Sequence, residues 1–446
     1  MTNEIKTSTL AVRYPKIVPK NPEYKVTFNG QSADVFQACN ACFASAISDE
    51  MIVVEISTTF EMDEKEVCIS PLHYGIKPVV TKNSMRFTVS APLDIVVWCK
   101  KRLSENPLMI YTNLPEQKPS GDDVMFFKTG QIYEVGELVL EKGISIYIEE
   151  GAVVRGRLRC IDLSSFKIAG RGVWDGSLFK GISHGHTLRF DKCTEFELLD
   201  LIVVNPTTWM IVIGDCHNAK IHGIREIGEV VGSDGIDVVG STDISIDRCA
   251  IHNNDDCIAI KSFDRRPTSN INSDIVGFWA GPVKNISITN CLFMNGNAGN
   301  SLDIGHELRT ESISDIMFEN NTVLFVHGHG SAIAIHNGDR AVVENITFRN
   351  FIIEHCYDKL FDIRVMKSQF NRDPERGQIR NVRFENVDIT YIRENPGYTV
   401  SIVSGYDSEH TVDGVVFENC RLNGEPVLSA DQLDMSFRHA YNVEFK

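Results

Sequence analysis

The sequence predicts an all-β chain: an N-terminal β-sandwich followed by a right-handed parallel β-helix. Three observations carry this. Short alternating apolar stretches fill residues 24–116 and are separated by turn formers. The segment Pro115 to Asp123 (PEQKPSGDD) is polar and turn-rich, and the texture changes after it. From there on, an apolar-x-Phe-x-Asn unit recurs with a period in the solenoid range.

In the first part, strands are expected at Lys25–Phe28, Met51–Ile56, Val79–Thr81, Met85–Val89, Ile95–Trp98 and Met109–Tyr111, with one helix at Ala33–Ala46. Such spacing suggests an antiparallel sandwich. The domain boundary is placed at 120/121, giving a sandwich domain over 1–120 and a β-helix catalytic domain over 121–446.

The repeat units are Ile316–Asn320, Ile346–Asn350, Val382–Asn386 and Val415–Asn419, with Ile286–Asn290 a close variant; their Asn residues are spaced by 30, 30, 36 and 33. Each unit alternates over a few residues, so it is strand rather than helix. Coils of three short strands would stack about 4.8 Å apart. Phe318 and Phe348 would then stack inside, and the Asn residues would form an amide ladder at one corner.

Composition narrows the function. The net charge of −16 argues against nucleic acid or an anionic membrane as partner, since both need basic patches. No apolar run reaches the length of a transmembrane helix. Residues 1–19 lack a signal-peptide pattern. Twelve cysteines without a tight cluster with His read as buried thiols rather than zinc ligands or disulfides. A cytoplasmic location is expected, or a secreted one if a leader has been removed. No cofactor and no metal are expected, and the oligomeric state is open.

Two acidic groups stand out: Ser233-Asp234-Gly235-Ile236-Asp237 and Asn253-Asn254-Asp255-Asp256-Cys257. Aligning Gly235–Val238 with Cys257–Ile260 sets Asp234 beside Asp256 on the next coil, with Asp255 adjoining. Carboxylates so close raise at least one pKa, so one can donate a proton while another stays ionised. Glycoside hydrolysis requires that division of labour. Turn formation, or a calcium or magnesium site, are the competing readings of the same residues.

These motifs resemble the Asn-Thr-Asp and Asp-Asp motifs of the polygalacturonases, glycoside hydrolase family 28. The layout is similar to that of the dextranases and isopullulanase of family 49, in the same clan, which place a β-sandwich before the β-helix. Further similar segments are Ser70–Ile76, Phe126–Tyr133, Gly151–Gly156 and Leu360–Arg364. The resemblance implies an inverting hydrolase with Asp255 as general acid and Asp234 and Asp256 holding and deprotonating the attacking water. Two departures matter. Asn300 stands where the family's Gly-His-Gly places His, while Gly328-His329-Gly330 falls a coil too late. The uronate-gripping Arg-Ile-Lys falls on Ala334-Ile335-His336. A neutral oligo- or polysaccharide is therefore the expected substrate. The rivals are a pectin-type polygalacturonase, a β-helix lyase or epimerase, and a non-catalytic sugar-binding β-helix.

Candidate substrate-binding residues are Trp209, as a sugar-stacking platform or plain packing, and Lys261, Asn300, Asp303, His306, His336 and Arg364 along the same strip. Lys261, His306 and His336 are each expected at the surface, with His336 neutral near pH 7 unless the Asp cluster raises its pKa. The insertion Phe263–Pro282 is expected to wall one end of the groove.

Overall fold

A computed structural model describes residues 9–102, 105–181, 185–265, 277–390 and 400–446. They form two compact units. One comprises Met1–Tyr133, Tyr147–Val154 and Gly170–Val173; the other comprises Glu134–Ile146, Arg155–Ala169 and Trp174–Lys446. The boundary expected at 120/121 stands as a proposal, since the first unit also draws in two later segments.

In the first unit, one sheet runs in the order Leu10–Ala11, Ala41–Ile47, Leu108–Asn113, Leu93–Cys99, Val67–Ser70, with Phe36–Ala38 paired to Ala41–Ile47. The other runs Gln31–Ala33, Tyr24–Phe28, Met51–Thr58, Ser84–Ser90, Val79–Val80. Strand Met51–Thr58 buries Ile52, Val54 and Ile56 and exposes the residues between, as period-2 patterning requires. These side chains share one core with Cys42, Ala44, Ile95 and Leu108 from the other sheet. All six expected strands are present.

Two expectations fail here. The helix expected at Ala33–Ala46 is replaced by the strands Phe36–Ala38 and Ala41–Ile47, an antiparallel hairpin turning at Cys39 and Asn40. Ala41–Ile47 (ACFASAI) is buried at every position. A strand buried on both faces shows no alternation, and its small residues mimic helix composition. The sheet is also not purely antiparallel, because Leu108–Asn113 runs parallel to Ala41–Ile47.

The long sheet has 32 strands, Val124–Phe127 to Ala440–Phe445, with each strand pairing to its counterpart on the next coil. The right-handed parallel β-helix is thus the observed fold. One face stacks Ile211–Gly214, Ile236–Val239, Ile258–Arg265, Leu302–Leu308, Ser331–Asn337 and Lys359–Val365 in parallel. The repeat motif lies on a second face. Phe318, Phe348, Phe384, Phe417 and Phe445 form a column of stacked rings 4.7–5.0 Å apart inside the coils. At the corner, Asn350, Asn386 and Asn419 each donate an amide hydrogen bond to the Asn one coil earlier, at 2.7–2.9 Å. Asn290, at the head of the series, donates instead to Asp247. All five hold φ near +55°, a left-handed conformation that Asn tolerates because its short polar side chain bonds locally. None of the twelve cysteines forms a disulfide; Cys39 is exposed, Cys68 and Cys99 half-buried and the others buried.

Candidate active site

The first stacked face aligns the acidic motifs. Asp237 pairs with Ala259 and Ile236 with Ile258, and Gly235 N–H donates to the Asp256 carbonyl at 2.8 Å. Asp234 therefore stands beside Asp256, as the pattern alignment requires. The next coil continues the line: Cys257 N–H donates to the Asn300 carbonyl at 3.0 Å, and Ile258 pairs with Leu302. Gly235 is needed at this approach, since a Cβ there would lie 2.5 Å from the Cys257 carbonyl oxygen. Asn253 stitches the two motifs by donating to both the Ser233 and Asp256 carbonyls at 2.8 Å.

One carboxylate oxygen each from Asp234, Asp255 and Asp256 lies within 4.8 Å of the others. Asp255 is half-buried while Asp234 and Asp256 are buried. The Asp255 carboxylate accepts from Gly232 N–H at 3.0 Å and Asp256 N–H at 3.1 Å. Burial and the Asp234 charge still push its pKa up to about 7. The Asp256 carboxyl is pushed well above the usual range by burial and by the charges of Asp303, Asp234 and Asp255. It accepts twice from Asn300, from the backbone N–H at 2.7 Å and from the side-chain amide at 2.9 Å.

Lys261 lies at the centre of this face. Its ammonium is 2.5 Å from Asp234 Oδ2 and 2.8 Å from Asp237 Oδ1, and 3.8 Å above the Trp209 ring centroid. The expected surface lysine is thus buried, because two carboxylates and an aromatic face replace its water. The fully buried Asp237 carboxyl is raised by its burial, even against the nearby ammonium. Trp209 is buried, with one face on His186 at 5.5 Å and the ring under Lys261. This burial speaks for the packing reading of Trp209.

His336 is the second correction. Instead of a neutral surface residue it is 4% exposed. Its Nδ1 is 3.0 Å from Asp303 Oδ2 and its Nε2 is 3.2 Å from Asp362 Oδ2. These two carboxylates overcome the desolvation of the ring and raise its pKa to about 10. They are held low in return, Asp303 mainly against its own burial by the His336 charge, and Asp362 likewise. His306 stacks on His336 at 4.6 Å, and burial lowers its pKa to about 4. Arg364 pairs with Asp362 at 2.5 Å and keeps about a third of its side chain exposed. His329 stands apart, largely exposed and 3.4 Å from Asp358.

The insertion is a hairpin at its base: Phe263–Arg265 pairs antiparallel with Gly277–Trp279. Trp279 and Phe263 pack with Trp209, Val212 and Val239. Its residues 266–276 lie outside the described residues. Sequence reasoning missed Asp237 and Asp362 as site members. Asp237 was visible in the motif; its lysine partner lies 24 residues on, at a diagonal position on the next coil.

The family model for glycosyl hydrolases family 28 matches residues 166–390, half of the chain. The chain belongs to glycosyl hydrolases family 28. Among curated relatives, a probable rhamnogalacturonase A from Aspergillus niger is 29% identical over 185 residues, covering 37% of this chain and 40% of the relative. A polygalacturonase from Chamaecyparis obtusa is 29% identical over 149 residues, covering 29% of this chain and 28% of the relative. The chain thus spans well under half the length of these relatives. Among solved structures, Dex49A from Penicillium minioluteum superposes with a TM-score of 0.69 at 12% identity, covering 97% of both chains. A hyperthermoactive exopolygalacturonase from Thermotoga maritima gives 0.55 at 15% identity, over 72% of this chain and 84% of that one. These likenesses establish the fold, the sandwich-and-helix layout included.

Proposed function

We propose that this family 28 protein is an inverting glycoside hydrolase acting on an oligo- or polysaccharide that presents a neutral sugar at the cleavage point. The observation that carries the activity is the Asp234–Asp255–Asp256 cluster. Its most accessible member, Asp255, has a pKa near 7 and is placed to protonate a leaving oxygen. Asp234 and Asp256 stand side by side on neighbouring coils, where a single water could be held and deprotonated between them. That layout differs from acid and base facing each other across a sugar ring, for which the usual inverting separation is about 6.5–9.5 Å.

The neutral-sugar reading rests on the charges of the strip. Lys261 is committed to Asp234 and Asp237, and His336 to Asp303 and Asp362. A uronate carboxylate would meet more anions than cations there. A pectin-type substrate is the second reading. It is favoured by the names of the curated relatives and by the partly exposed guanidinium of Arg364. Side-by-side digestion of polygalacturonate, rhamnogalacturonan and neutral glucan or galactan oligosaccharides, followed by a reducing-end assay, tests both. Faster release from a neutral glycan is expected. Faster cleavage of polygalacturonate would overturn the neutral reading, and no release from any glycan would overturn the activity. Proton NMR of the first-formed product should show the anomer opposite to the substrate linkage.

A further inference from the structure

A continuous chain of contacts leads away from Asp256 into the β-helix surface. The Asn300 side-chain amide donates to Asp256 Oδ1 at 2.9 Å and to Asp303 Oδ2 at 3.4 Å. The same Asp303 oxygen is 3.0 Å from His336 Nδ1. His336 Nε2 is 3.2 Å from Asp362 Oδ2, and Asp362 is held by Arg364. Asp256, Asn300, Asp303 and His336 are all less than a tenth exposed, so water does little to screen these charges. Two carboxylates, Asp256 and Asp303, thus share a single amide group. Two anions so placed oppose each other's ionisation unless one of them is neutralised.

We infer that His336 is a positioning residue for the reaction: by pairing with Asp303 from the far side, it offsets part of the charge that opposes ionisation of Asp256, the group proposed to hold the attacking water. This rests on the proposed role of Asp256. The register makes the division possible. His336 stands two coils beyond Asp256, with Asn300 and Asp303 on the coil between, so the cation reaches Asp303 and never the substrate-facing carboxylates. Every charged neighbour fits the arrangement. Asp256 faces Asp234, Asp255, Asp303 and Lys261, and of these only Asp303 has a cation of its own outside the Lys261 group. His336 faces Asp303, Asp362 and His306, with Arg364 beyond Asp362. His306 holds no charge near neutral pH, because burial lowers its pKa to about 4, so His336 is the nearest cation to Asp303, with Lys261 beyond it. Lys261 pairs directly with Asp234 and Asp237, with Glu307 and Asp256 further off.

The test is the acid limb of the pH profile in His336→Gln, Asp303→Asn and the double variant. His336→Gln leaves Asp256 and Asp303 as two buried carboxyls that share one proton through neutral pH, so the acid limb of kcat/KM should rise by about one pH unit, with KM on the plateau unchanged. Asp303→Asn removes the opposing charge and should lower the limb. The double variant should bring the limb back to within a few tenths of a unit of the wild type, a non-additive rescue. A uniform loss of kcat/KM in His336→Gln with an unmoved limb, or additive losses in the double variant, would overturn the inference. If His336→Gln does not fold, Asp303→Asn alone decides: a limb unmoved or raised overturns it. An infrared titration of the protonated carboxyl band, assigned by its loss in Asp256→Asn, follows the same ionisation without substrate. A wild type that hydrolyses no glycan would defeat the proposed function, whereas the infrared midpoints still judge the role of His336.

Discussion

Replacing Lys261 with Met is the perturbation for which the structure gives a magnitude. Met keeps much of the stem's volume over Trp209 and removes the ammonium. Asp234 and Asp237, 3% and 0% exposed, then lose the cation that lies 2.5 and 2.8 Å from them. Breaking a buried ion pair from one side typically costs about 3–5 kcal/mol. A second route gives a similar figure. The protein can escape the unpaired charge by protonating one carboxyl. At pH 7 that means moving a group about three units from its ordinary pKa, at about 1.4 kcal/mol per unit, or about 4 kcal/mol. The lost cation–π contact adds about 1–2 kcal/mol, since the site is desolvated. Protonation also fixes the sign of the pH dependence. In the variant a folded-state carboxyl has a raised pKa and binds a proton that the unfolded chain does not bind at pH 7. The penalty must therefore shrink as the pH falls toward 5, to about half its neutral value. Urea unfolding followed by tryptophan fluorescence at pH 5 and 7 measures both quantities. A loss below about 1 kcal/mol, or one that does not change between the two pH values, would refute the view of Lys261 as the buried counter-ion of this cluster.

Three more outcomes are expected. Asp255→Asn should keep the fold and lower kcat by about 10²–10⁴, the usual share of general acid catalysis; near-normal turnover would remove Asp255 from the acid role. The pH profile of kcat/KM should fall as pH rises through about 7, where Asp255 loses its proton, and fall again on the acid side as Asp256 takes one up; a plateau extending well above pH 8 would contradict this assignment. Asn350→Ala in the corner ladder loses two amide bonds and places Ala at φ +53°, so stability should drop by about 1–3 kcal/mol, with Asn350→Gly costing less; equal losses in the two variants would speak against backbone conformation as the cause.

What could be read from the chain, and what could not, follows from the way a solenoid is built. Neighbours along the axis are a fixed repeat apart, so matching Gly235–Val238 to Cys257–Ile260 was enough to set Asp234 beside Asp256. The same logic found the Phe column and the Asn corner. Neighbours on the diagonal depend on side-chain reach. Lys261 stands in register with Val239, yet its long stem brings the ammonium back to Asp237 and Asp234. No repeat pattern records that. Burial was misjudged for the same reason: a charged residue looks like surface until its partners, from coils 24–33 residues away, are counted. The N-terminal helix expectation failed differently, because Ala41–Ile47 is buried on both faces and carries no period of its own.

The corrected charges bear on the substrate in a way the uncorrected ones did not. With His336 taken as neutral, the strip lacked a cation at the position that the family resemblance assigns to gripping a uronate. With His336 charged, a cation is present but sits between two carboxylates. For a uronate to use it, Asp303 or Asp362 would have to give it up. Freeing Asp303 would set its charge against Asp256 through Asn300, impairing the group proposed to hold the water. Freeing Asp362 would require Arg364 to carry that carboxylate alone, and Arg364 would then be lost to the uronate. Either route couples binding of an acidic sugar at the cleavage point to a penalty in catalysis. A neutral sugar meets no such conflict, because its hydroxyls can donate to these carboxylates while every buried cation keeps its partners.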